Sequence, residues 1–228
     1  MGKDEGGRMK DDRGRHVLVL LDGEEPSKSV IDRFLKYASH IIATDGAAKY
    51  ALNHDIPLDI IIGDMDSLSV ELKKSCEAKG TRIIEDPDQY SNDFEKALRY
   101  ILADSLPKNA IILGIHGKRT DHLLTNFSVM LRFTDRFESL IAYDATHEHH
   151  FLTTKKNRYS FSSSLEMQIS LTPLPEANGV TTSGLYYPIV KEQMIFGQSE
   201  GLSNIIAEKH ASVEIRSGAL LISVPYSN

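Results

Sequence analysis

Between residues 17 and 144 the sequence repeats one alternation: a short, nearly continuous run of Ile, Leu and Val, then a stretch with helical periodicity. The apolar runs fall at 17–21, 40–44, 59–62, 81–84, 110–114 and 140–143. Such runs suit strands covered on both faces, as parallel strands between helices are. The intervening segments carry apolar residues at i, i+3 and i+4, as Val30, Ile31, Phe34, Leu35 and Ala38 do between 27 and 38. Asn92 followed by Glu95 reads as a capping box opening a helix over 92–102, and Thr120 as the N-cap of one over 120–133. The spacing predicts a doubly wound α/β domain with a mostly parallel sheet, helices on both faces and right-handed crossovers, spanning 16–146.

The pattern changes after residue 146. Short alternating segments at 158–162, 166–171, 212–215 and 219–224 are separated by Asn178-Gly179, Ser183-Gly184 and Ser217-Gly218. Residues 215–219 read as a hairpin. The expectation for 147–228 is an antiparallel β-sandwich. Residues 1–15 mix both charge signs without an apolar stretch, and read as a flexible tail.

Composition excludes several classes. Twenty-six Lys and Arg stand against 32 Asp and Glu, so no global positive field for nucleic acid is expected. No apolar run reaches the roughly 18–20 residues that cross a bilayer. The single cysteine, Cys76, precludes an internal disulfide framework and, with no export signal, points to the cytoplasm. Cys76 lies in a helical pattern with Val70 and Leu72 and reads as a packed small hydrophobe. His147, Glu148, His149 and His150 have the composition of a transition-metal site, but no distant partner is identifiable.

In an open α/β sheet, ligands bind beyond the carboxyl ends of the strands. There the second strand leads into Asp45-Gly46, the third into Gly63-Asp64-Met65-Asp66-Ser67, the fourth towards Gln89 and Asn92-Asp93-Phe94-Glu95-Lys96, and the fifth into Gly114-Ile115-His116-Gly117-Lys118-Arg119-Thr120-Asp121-His122. On extended backbone Asp64 and Asp66 point to one side. Clustered carboxylates repel, by roughly 4 kcal/mol at 4 Å and an effective dielectric near 20. A hard cation such as Mg²⁺ relieves that repulsion. A pair of turn or helix-capping aspartates is the alternative. Asp93 and Lys96 share a helix face, as a surface ion pair or as a metal ligand beside a phosphate-binding cation. The glycines, Lys118 and Arg119 before a helix N-terminus read as a phosphate-binding turn, with a local Arg119–Asp121 ion pair as the alternative. Neither Gly-x-Gly-x-x-Gly nor a P-loop is present.

Asp45-Gly46, Gly63 to Ser67, Asn92-Asp93-Phe94-Glu95-Lys96-Ala97-Leu98, Gly117 to His122 and Gly201-Leu202-Ser203-Asn204 resemble, in order, the motifs of the thiamine pyrophosphokinase family. The resemblance runs over about 17–225. It implies an α/β domain followed by a β-sandwich, a homodimer with active sites at the subunit interface, and transfer of a diphosphoryl group from ATP to thiamine. It further implies Asp64, Asp66 and Asp93 as Mg²⁺ ligands, and Lys96 and Arg119 as phosphate neutralisers. Gln89, Asn92 and His122 would seat ATP, and Asp121 would orient the attacking hydroxyl or a water. Asp45 would sit near the metal or thiamine, with Ser203 and Asn204 on the aminopyrimidine. The chain departs from the family pattern at Asn92, where Thr is common, and at Ala47 and Lys118, where glycine is common. The alternatives are a related Mg²⁺-dependent diphospho- or nucleotidyl-transferase acting on another small alcohol, and a non-catalytic nucleotide or thiamine sensor.

Overall fold

A computed structural model describes residues 16–162 and 164–226; the expected tail at 1–15 lies outside them. The described chain divides into two compact units, 16–145 and 146–226.

The first unit alternates strand and helix throughout: β1 (His16–Leu20), α1 (Lys28–Leu35), β2 (Ala38–Thr44), α2 (Asp45–Asn53), β3 (Ile60–Gly63), α3 (Val70–Ala78), β4 (Arg82–Glu85), α4 (Asp93–Ala103), β5 (Asn109–Leu113), α5 (Thr120–Thr134) and β6 (Ser139–Tyr143). The strands pair in the order β4-β3-β2-β1-β5-β6, all parallel. Their apolar runs are why: every residue of β1, β3 and β6 is buried, a pattern that requires cover on both faces. The edge strand β4 is the exception, with exposed Arg82 and Glu85 at its ends. Charges there keep an unpaired edge from recruiting another strand.

Right-handed crossovers put α1, α2 and α3, which lead away from β1 in one direction, on one face, and α4 and α5 on the other. Contact between α4 and α5 agrees with that assignment. Helix starts follow local chemistry. The side chains of Ser27, Ser69 and Asn92 accept from the amides of Val30, Leu72 and Glu95. Only this arm of the expected capping box is formed by Asn92 and Glu95; the Glu95 carboxylate pairs with Arg132 on α5 instead, at 2.6 Å. Thr120 is not the cap of α5 but its first residue; Arg119 occupies the cap position and makes no side-chain cap bond. Cys76 is fully buried in α3, and burial pushes its thiol up, as suits a packing residue.

The second unit contains β7 (His147–Thr153), β8 (Arg158–Ser162), β9 (Gln168–Ser183), β10 (Glu192–Ile195), β11 (Gly201–Ile205), β12 (His210–Glu214) and β13 (Ser217–Pro225), with every pairing among them antiparallel. The sixteen-residue β9 is the hub. Residues 170–178 pair with β13, and 181–183 with β12. The anticipated two-sheet sandwich therefore takes the form of two ladders that share one strand. Alternating residues of both ladders, including Phe161, Ile169, Leu171, Val180, Val213, Leu220 and Ile222, close one core.

The hairpin expected at 215–219 is not formed. β12 pairs with β8 and β9, while β13 pairs with β7 and β9, so the turn carries the chain from one ladder to the other. Asn178-Gly179, a turn signal in the sequence, lies inside β9 at this change of partner. The histidine-rich stretch is β7. There the buried Glu148 carboxylate accepts from Tyr159 Oη at 2.7 Å, and His149 Nδ1 lies 3.0 Å from Ser223 Oγ. No helix among the described residues is long and apolar enough to cross a membrane.

Candidate active site

The strand order reverses at β1: the chain builds outward through β2, β3 and β4, then returns to place β5 and β6 on the other side. Such a switch point leaves an open crevice at the carboxyl ends of the strands. A cleft of about 360 Å³ lies there, lined by Asp45, Asp64, Asp66, Gln89, Asn92, Asp93, Lys96, Arg119 and His122, together with Asp22 and Lys118.

Asp45 is the first residue of α2 and is buried, with 3% of its surface exposed. Its Oδ1 accepts from the Gly46 amide at 2.6 Å, while Oδ2 is buried without a hydrogen-bond partner. Gly63 makes room for it: a β-carbon on Gly63 would stand 2.7 Å from Asp45 Cγ. A helix N-terminus favours a carboxylate, but burial outweighs it. Burial first, then the neighbouring Asp93 charge, push the Asp45 carboxyl up to about 6 against the opposing Gly46 bond.

Asp64 and Asp66 come directly after β3, though not on extended backbone as expected. Met65 between them has φ 67°, a left-handed turn, and the Asp66 amide donates to Asp64 Oδ1 at 3.2 Å. The turn still brings both to Asp45: one carboxylate oxygen from each of Asp45, Asp64 and Asp66 falls within 4.8 Å of the others. Gln89 Nε2 donates to Asp64 Oδ2 at 3.2 Å, and this bond and that of the Asp66 amide hold Asp64 below the usual carboxylate range. Gln89 is steadied by the loop it rides on, where Arg99 Nη2 pairs with Asp88 at 2.9 Å and pulls that carboxyl down to about 2.

Asp93, which the family resemblance implies as a metal ligand, stands at the start of α4. Asp93 adjoins Asp45 and accepts from Lys96 Nζ at 3.0 Å, a lysine whose side chain is only 2% exposed. Asn92 caps α4 with its oxygen and uses its Nδ2 on Asn126 Oδ1 at 3.0 Å. The carboxylates fit a hard divalent cation: the donors are all oxygen, one Asp45 oxygen lies within 4.8 Å of an oxygen from each of two further carboxylates, and Asp45 Oδ2 is buried without a hydrogen-bond partner.

The turn before α5 has Gly117 at φ 91° and Lys118 at φ 54°. Arg119 and His122 line the cleft, but Asp121 is not among its lining residues. The Arg119 Nε donates to Asp121 Oδ1 at 3.0 Å, and the pair holds the Asp121 carboxyl at about 2. Asp121 thus holds the Arg119 guanidinium, the local ion pair that the sequence offers as an alternative.

In the second unit, Ser203 is exposed with φ 55°, and its amide donates to Ser170 Oγ at 3.1 Å. Asn204 turns its amide to the backbone. It is 4% exposed; Oδ1 accepts from the amides of Tyr187 and Ile205, and Nδ2 donates to Tyr187 O at 2.7 Å. Asn204 thus pins the backbone behind Tyr186 and Tyr187, an exposed pair packed edge to face with centroids 4.9 Å apart. Asn204→Ala leaves three backbone groups without this partner. It is expected to cost about 2 kcal/mol in urea denaturation, whereas Ser203→Ala should cost under about 0.5.

Sequence profiles of two consecutive domains match this chain: the thiamin pyrophosphokinase catalytic domain over 31–142 and the thiamin pyrophosphokinase vitamin B1 binding domain over 149–220. The chain belongs to the thiamin pyrophosphokinase family. Among full-length relatives, thiamine pyrophosphokinase 2 of Arabidopsis thaliana is 30% identical over 90% of this chain and 85% of its own. Thiamin pyrophosphokinase 1 of Caenorhabditis elegans is 24% identical, covering 93% of this chain and 90% of its own. The fold is that of the thiamine pyrophosphokinase of Bacillus subtilis, with TM-score 0.77 at 19% identity over 93% of this chain and all of that one. The yeast thiamin pyrophosphokinase superposes with TM-score 0.77 at 16% identity, covering 97% of this chain and 89% of that one.

Asp22 and Lys118 also line the cleft; the sequence places Lys118 in the phosphate-binding turn but assigns Asp22 no role. Asp22 closely succeeds the strand at the switch point. Extending the rule about strand ends to the first strand would have found it. Lys118 occupies a left-handed position where the family commonly has glycine.

Proposed function

We propose that this chain transfers the diphosphoryl group of ATP to the hydroxyl of thiamine, giving thiamine diphosphate and AMP. The observation that carries the reading is the convergence of Asp45, Asp64 and Asp66 beside Asp93 and Lys96, at the switch point of a thiamin pyrophosphokinase fold. The thiamine oxygen attacks the β-phosphorus; the bond from that phosphorus to the oxygen bridging to the α-phosphate breaks, and AMP leaves with that oxygen. The hydroxyl proton passes to solvent, so no strong base is required.

Catalysis of such a transfer is mainly positioning and charge neutralisation. Lys96 is suited to this: its ammonium is buried and fixed by Asp93, so it enters the reaction already oriented. Arg119, aligned by Asp121, extends the positive wall, and Gln89 and Asn92 offer amide groups at the rim. His122 completes the nucleotide side. Mg²⁺ is the proposed cofactor, held by Asp45, Asp64 and Asp66 with Asp93 alongside; when bound it would neutralise the phosphate oxygens. Tyr186, Tyr187 and the exposed Ser203 are the proposed acceptor contacts of the second unit, with a homodimer as the working assembly. A cytoplasmic setting accords with the single buried thiol.

Incubation with Mg-ATP, with and without thiamine, and chromatography of the products test the reading. Thiamine-dependent AMP in equal amount to thiamine diphosphate is expected. ADP with thiamine monophosphate would overturn diphosphoryl transfer, and inorganic diphosphate would assign nucleotidyl transfer instead.

A further inference from the structure

The cations lining the cleft are each matched by a carboxylate. Lys96 pairs with Asp93 and Arg119 with Asp121, both partners being neighbours in sequence. Lys118 differs: its Nζ meets Asp22 Oδ1 at 2.5 Å, across 96 residues, joining the end of β1 to the turn before α5. Both side chains of this pair are about half exposed, Lys118 at 54% and Asp22 at 51%. Asp22 is wedged against the first turn of α2, where a β-carbon on Gly46 would lie 2.8 Å from both Cβ and Cγ of Asp22. Lys118 lines the cleft from a backbone with φ 54° and reaches Asp22 on a flexible four-carbon stem. The pair is therefore open both to solvent and to a ligand entering the cleft. A triphosphate entering the cleft carries several negative charges and competes with one carboxylate for that cation.

We propose that Lys118 is an additional phosphate-binding residue of this chain. Asp22 holds it in place while the cleft is free of nucleotide and releases it to the phosphate chain on binding. Asp22 is then a positioning residue whose charge opposes nucleotide affinity. The inference rests on the ATP-dependent reading above.

Calorimetric titration of Mg-ATP into the full chain tests it with wild type, Asp22→Asn, Lys118→Met and the double variant, each at low and moderate salt. Lys118→Met is expected to weaken binding about tenfold and to flatten its salt dependence. Asp22→Asn is expected to tighten binding about threefold or more, and to have no effect once Lys118 is methionine. Lys118→Gly, which suits the left-handed backbone, guards against a disrupted turn and should match Lys118→Met. Equal effects of Asp22→Asn with and without Lys118, or weaker binding by Asp22→Asn, would overturn the exchange. A wild-type chain that binds no Mg-ATP would overturn the ATP reading and this proposal together. Binding with an additive cycle would overturn this proposal alone.

Discussion

Asp45→Asn is expected to make the cation-free protein more stable and nearly inactive. The Asp45 carboxyl titrates near 3.8 in an unfolded chain and near 6 in the folded one. The folded state thus holds this proton more tightly, and stability falls as pH rises from 3.8 to about 6, then stays reduced. The total cost is about 3 kcal/mol above that window. Asparagine keeps the oxygen that accepts from Gly46 and carries no charge to desolvate or to repel Asp93 and Asp64. Thermal denaturation in chelator should show the variant melting about 5–10 °C higher at pH 8 and level with wild type near pH 4. Turnover should fall about a thousandfold, since the orphaned Oδ2 is what the site offers a cation. Added Mg²⁺ should raise the melting point of wild type and leave the variant unmoved. A variant no more stable at pH 8 than at pH 4, relative to wild type, would remove the electrostatic argument.

Asp64→Asn and Asp66→Asn should each lower thiamine diphosphate formation by about a thousandfold. Both residues lie on a partly open turn after β3, and neither supports the core. Their unfolding free energies should stay within about 0.5 kcal/mol of wild type. The losses should appear in kcat at saturating ATP and thiamine. Wild-type turnover in either variant would dismantle the carboxylate cluster as a working unit.

The parallel sheet was legible because buried strands leave continuous Ile, Leu and Val runs, and such runs have few other homes. The site was legible for a related reason: once the strands are placed, the loops at their carboxyl ends must gather at one sheet edge. The burial of Asp45 against Asp64 and Asp66 was not legible. It depends on α2 beginning directly at Asp45, so that the side chain is buried while Asp93 is drawn to Lys96. Asp64 and Asp66 converged as expected but through a left-handed turn at Met65, which no pattern of charges announces. Asn204 was located by its motif, yet its amide faces the Tyr187 backbone. A short motif gives position along the chain and not the direction of a side chain. Turn residues at 215–219 marked a break between strands but not a reversal: β12 and then β13 run on in one direction, both antiparallel to β9, at 181–183 and then 170–178.

The placement of β13 has a consequence for the order in which the second unit can be assembled. β7 and β13 are neighbours although 147–153 and 219–225 stand some seventy residues apart, and β13 lies between β7 and β9. Loop closure on that scale must precede its reward. β9 can pair β10 and β11 as soon as they follow it, but its other edge and that of β7 stay open until 217–225 slot between them. This half of the molecule should fold late and in a single cooperative event, with β7 and β9 exposed to wrong partners in the interval.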